Sequence, residues 1–172
     1  MPIRVVRLSA LLAAIIMLPA LAAAHITLEQ REASIGAPIK LTFKVPHGCD
    51  GSPTLKLRVR IPDGVIAVKP MPKPGWTLDV VSGKYDKTYE FFHGAKLSEG
   101  VKEIAWTGSL PDQYYDEFVV SGFLAADLKA GERLPFPVVQ ECEKGVHRWI
   151  EIPAAGKDTK EPAPAILLTP KK

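Results

Sequence analysis

The sequence predicts an all-β protein, a sandwich of about eight to ten short strands with Greek-key connections. Two observations carry this. The runs Ile39-Lys40-Leu41-Thr42-Phe43-Lys44-Val45 and Leu55-Lys56-Leu57-Arg58-Val59-Arg60-Ile61 alternate apolar and polar residues, as strands with one buried face do. Turn clusters rich in Gly, Pro, Asp and Ser recur at 48–53, 62–64, 70–75, 82–83 and 129–131, and no stretch keeps a long 3.6-residue period. The expected architecture is therefore immunoglobulin-like.

Taken in order, 26–28 is a short opening strand and 31–38 a turn region. The segments 39–45 and 55–61 follow, with lysines and arginines outward. Further strands are expected at 65–68, 77–81, 88–92, 103–106, 117–123, 136–140 and 147–152, and one helical turn at 125–128. Pro46, Pro62 and Pro111 fall after or between strands, where a residue without an N–H does not interrupt a central ladder. The tail 156–172, rich in Lys, Pro and Ala, is expected to be weakly ordered, with Ile166-Leu167-Leu168 as its one docking element.

Residues 1–24 read as a secretory signal peptide. Arg4 and Arg7 open it, 8–21 is apolar apart from Ser9, and Ala22-Ala23-Ala24 suits the processing enzyme. An apolar core of roughly 14 residues falls short of the ~20 that span a membrane. Removing the segment predicts an exported chain, in the periplasm or outside the cell, with one domain over 25–155 and a net charge of about +1. That balance supplies no basic patch for nucleic acid. Cys49 and Cys142 are the only cysteines and lack CxxC spacing, so in an oxidising compartment they are expected to form a disulfide.

Cleavage after Ala24 would make His25 the first residue. Its α-amine and imidazole then sit on one carbon, two nitrogen donors able to chelate a borderline metal such as Cu(II). If 39–45 pairs antiparallel with the first strand, His47 and Asp50 come near His25, whereas Glu32 lies roughly 20 Å along an extended chain. The disulfide and a reversal at Glu143-Lys144-Gly145 would bring Trp149, and His147, to the same end. Each residue also has a simpler role: Trp149 as core, His47 and Asp50 as turn residues, His147 as surface.

These residues resemble the YcnI-like family of exported bacterial proteins. The resemblance rests on His25-Ile26-Thr27-Leu28 after Ala24, Lys44-Val45-Pro46-His47-Gly48-Cys49, Lys73-Pro74-Gly75-Trp76, and Gln140-Glu141-Cys142-Glu143-Lys144-Gly145 leading to Arg148-Trp149-Ile150-Glu151. It implies a β-sandwich that binds one Cu(II) through the N-terminal amine, the same residue's imidazole and a carboxylate, beside a tryptophan. The histidine maps to His25 and the tryptophan to Trp149. Some relatives carry a glutamate two positions after the Val-Pro pair, where this chain has Gly48, so the third ligand stays open among Asp50, His47 and Glu32.

The expected function is a copper chaperone or store, with a copper-handling membrane or periplasmic protein as partner. Two alternatives remain. One is an oxidative polysaccharide-cleaving enzyme with a second histidine at copper, and the other a metal-free interaction module presenting the 70–76 loop. No nucleophile triad, phosphate loop or dinucleotide motif is present.

Overall fold

The computed structural model describes residues 25–153 and 159–171. The expected signal peptide, 1–24, lies outside the described residues, as does the 155 domain boundary. Among the described residues, twelve strands form three sheets and the sole helical element is a 3-10 turn at Phe92–Gly94.

The first sheet has the order β1 (Thr27–Leu28), β3 (Pro38–Val45), β8 (Asp116–Leu124), β5 (Val65–Pro70). The second runs β11 (Val146–Trp149), β10 (Val138–Cys142), β4 (Thr54–Arg60), β7 (Lys96–Leu110), β6 (Thr77–Glu90). Alternation in β3 buries Ile39, Leu41, Phe43 and Val45, and they meet Leu57, Val59, Ile104, Trp106 and Val138 of the second sheet in one core. Each such side chain removed from water contributes roughly 1.5–3 kcal/mol, which makes the slip of either sheet by one residue prohibitive. Phe43 and Phe136 meet edge to face, with centroids 5.9 Å apart.

A third, small sheet of β2 (Glu32–Ser34), β12 (Ala165–Thr169) and β9 (Arg133–Pro135) lies in that order. Here the expected weakly ordered tail is corrected. Ile166 and Leu168 dock as anticipated, both buried, but they do so on a strand that pairs parallel with β2 and antiparallel with β9. The same strand makes β2 out of what reads as a turn region: Glu32 faces Leu167 and Ser34 faces Thr169.

Three further expectations change. The turn at Ser82-Gly83 is absent, because 77–81 and 88–90 belong to one strand, β6, in which Gly83 pairs with Gly100 and a register shift at Val81/Ser82 absorbs the irregularity; the expected strand 88–92 ends at Glu90, and Phe92 starts the 3-10 turn. Leu55 is 37% exposed instead of sharing the inner face with Leu57, since a bulge between Thr54 and Lys56 flips it. Residues 125–128 close a single hydrogen-bonded turn, Leu128 N–H to Ala125 C=O at 3.4 Å, without a helix.

Candidate metal centre

The β1–β3 pairing sets the geometry. Thr27 lies opposite Lys44 and Leu28 opposite Phe43, antiparallel. Continuing that register puts His25 across from Pro46, with His47 next along the chain. From the other side, β10 and β11 form a hairpin closed by Cys142 N–H to Gly145 C=O at 3.1 Å, so His147 and Trp149 point the same way two residues apart.

The half-buried His25 imidazole lies against Trp149, with ring centroids 5.3 Å apart and planes at 52°. His147 packs on the same indole at 5.0 Å. Trp149 itself is 4% exposed and held by a polar relay: its indole N–H donates to Gln140 Oε1 at 3.0 Å, and the Gln140 amide donates to the His47 carbonyl and to Thr54 Oγ1, both at 2.8 Å. Gln140 thereby ties Trp149 to the His47 loop. Both polar ends of a fully buried amide are satisfied, which is the condition for placing it in a core.

The His47 loop is fixed from three directions. His47 Nδ1–H donates to the Gly48 carbonyl at 2.6 Å, which in the neutral ring places the lone pair on Nε2. Gly48 N–H donates to Asp112 Oδ1 at 3.0 Å, and the Cys49–Cys142 disulfide joins β10 to the turn formed by Cys49 and Ser52. The disulfide read from cysteine count is therefore present. Ser52 Oγ seals the junction, sharing its one hydrogen between Cys49 C=O at 2.8 Å and Lys144 C=O at 3.0 Å and accepting from the Lys144 N–H at 3.2 Å.

As the loop is folded, position 48 has no room for a side chain. A Cβ there would collide with the Ser52 carbonyl oxygen. The nearest acid to that position is on another loop, Asp112, whose Oδ1 would stand 3.2 Å from it. Asp50 is exposed at the tip of the Cys49–Ser52 turn with φ of 48°, and Glu32 is exposed on β2 in the third sheet. Among the described residues, no three His, Cys, Asp or Glu side chains converge on one point. An α-amine freed at His25 would give, with the imidazole on the same carbon, two nitrogen donors of the kind Cu(II) takes.

Sequence reasoning missed Gln140, Asp112 and Glu161. Gln140 carried a signal, an amide at an inward position of an apolar strand. Glu161 carried none. It accepts from His147 Nδ1 at 2.7 Å and from the Arg148 N–H at 2.8 Å. Burial pushes its carboxyl up, but those two hydrogen bonds and the charges of His147 and Arg148 outweigh it and hold the carboxyl below its ordinary value. Trp76, in the 70–76 loop, is half-buried and packs edge-on against Phe118 at 4.9 Å.

Two facing sheets, a disulfide across one end and a histidine–tryptophan pair beside it define an immunoglobulin-like β-sandwich protein. A solved structure has the same architecture: an uncharacterized protein from Nocardia farcinica, described as having an immunoglobulin-like fold, aligns with a TM-score of 0.61 at 27% identity over 84% of this chain and 98% of that one. The family model described as a domain of unknown function, DUF1775, matches residues 25–168. This chain belongs to that family, for which YcnI-like is another name. No curated protein matches it.

Proposed function

We propose that this protein is an exported Cu(II)-binding protein, a chaperone or store, that holds one ion through the α-amine and imidazole of His25 after removal of 1–24. The observation that supports the reading best is the His25–Trp149 contact. It sets the chelating residue beside a rigid, buried aromatic wall, next to a loop immobilised by a disulfide. The match to the family also begins at His25.

In this reading each residue has a physical task. The His25 amine, with an ordinary pKa of about 7.7–8.0, loses its proton on binding, so affinity falls in acid. Trp149 limits water at one side of the imidazole, and Gln140 fixes the indole. Copper supplies a Lewis-acidic centre for nitrogen donors.

Protein beginning at His25 is expected to bind one Cu(II) with a nitrogen-rich electron paramagnetic resonance spectrum, and protein with one residue added before His25 to lose most of its affinity while staying folded. Equal binding by both would overturn the proposal. Asp112→Asn, Asp50→Asn, Glu32→Gln and His47→Ala, measured separately, would assign the remaining donor.

A further inference from the structure

A cavity of about 620 Å³ starts at His25 and runs along β1 to Arg31. One wall is the residue run 25–31, and β1 is the edge of its sheet, hydrogen-bonded to β3 on one side. Pro135, Pro153, Pro162 and Pro164 also line it. Prolines have no backbone N–H, so these four positions offer apolar surface without main-chain donors. The strand itself is two residues, Thr27–Leu28, and the lining run turns at Glu29 before reaching Arg31, whose carbonyl accepts from the Leu167 N–H at 2.8 Å.

Its charges are lopsided. Among the described residues, Arg31, Lys44 and Arg133 line it, against Glu29 as the one acid. Lys44 is held loosely, 3.9 Å from Glu117, and Arg133 donates from Nη2 to the Ala165 carbonyl at 3.3 Å. Arg31 and Arg133 are exposed, and no acid among the described residues pairs with either.

We propose that this trough is a docking groove for an extended acidic segment of a partner protein, laid beside β1 with its carboxylates on Arg31, Lys44 and Arg133 and one end at His25. An exposed sheet edge provides main-chain pairing, the prolines take the apolar side chains, and the basic rim selects charge. A partner bound this way would lie alongside the proposed copper residue, as delivery or collection of a metal requires. The groove's recognition does not depend on copper.

The test uses metal-free protein and a capped hexapeptide alternating glutamate with valine. Isothermal titration is expected to show it binding roughly tenfold or more tightly than the lysine–valine counterpart, with affinity falling as salt rises. The double variant R31E/R133E, both positions exposed, should reverse that preference while keeping its melting temperature. Amide shifts on titration should centre on 26–31. Equal affinity for both peptides, an unchanged preference in the variant, or equal binding by glutarate, which has the charge without the backbone, would each overturn the groove. Copper binding measured on the same samples stands or falls separately.

Discussion

The imidazole of His25 and the indole of Trp149 are in contact across the end of the sandwich, with centroids 5.3 Å apart, although 124 residues separate them in sequence. Trp76 and Trp106 pack instead around Phe118. Cu(II) added to protein beginning at His25 should therefore quench mainly Trp149. Trp149→Phe is expected to lose most of the quenching, read by fluorescence titration, and to cost about 1–3 kcal/mol because Gln140 Oε1 loses its donor.

Gln140→Leu removes three hydrogen bonds at once, those to the Trp149 N–H, the Thr54 hydroxyl and the His47 carbonyl, and takes the buried indole N–H's acceptor away. At about 1–3 kcal/mol for a buried unsatisfied group, it should lower stability by at least about 2 kcal/mol. Urea unfolding would measure this, and a loss below about 0.5 kcal/mol would contradict the relay.

Gly48→Ala and Gly51→Ala separate crowding from backbone strain. A side chain at Gly48 meets the Ser52 carbonyl, and relief requires the whole loop to shift, at roughly 1–3 kcal/mol with loss of the Asp112 hydrogen bond. Gly51 has open space but φ of +82°, so alanine there costs about 1–2 kcal/mol and leaves the loop in place. Amide shifts at His47 and Cys49 would distinguish the two.

The disulfide links residues 93 apart in sequence. Reduction, or the pair Cys49→Ser with Cys142→Ser, is expected to remove about 2–4 kcal/mol, seen as a lower melting temperature.

Glu161 predicts an acid dependence. Its carboxyl is held below the ordinary 4.5, the hydrogen bonds from His147 and Arg148 outweighing the upward push of burial. A depressed acid adds stability that is complete above its unfolded pKa and disappears as pH falls through the folded value. Glu161→Gln should thus be less stable than wild type near neutrality, with the gap closing below about pH 4.5 in urea titrations.

Much of this was legible in the chain. The alternation in 39–45 made β3 readable because one face of it is core, and two cysteines without CxxC spacing left a disulfide as the simplest pairing in an oxidising compartment. Leu55 misled because a bulge changes parity, and parity is all that alternation reports. Ser82-Gly83 misled because a glycine pair inside a two-stranded ribbon has the same composition as a turn. Glu161 was invisible, since its partner His147 lies on another element and nothing local demands an acid there.

The sequence alone determined the class of fold, the disulfide, and His25 and Trp149 as the residues of interest, because periodicity, cysteine count and family motifs are local properties. Tertiary structure decided which groups surround them. It placed Gln140 between Trp149 and the His47 loop, set Asp112 rather than Asp50 against Gly48, and brought β12 from the end of the chain to shape the trough beside His25. Those relations come from burial and strand register across more than 60 residues, and no local pattern encodes them.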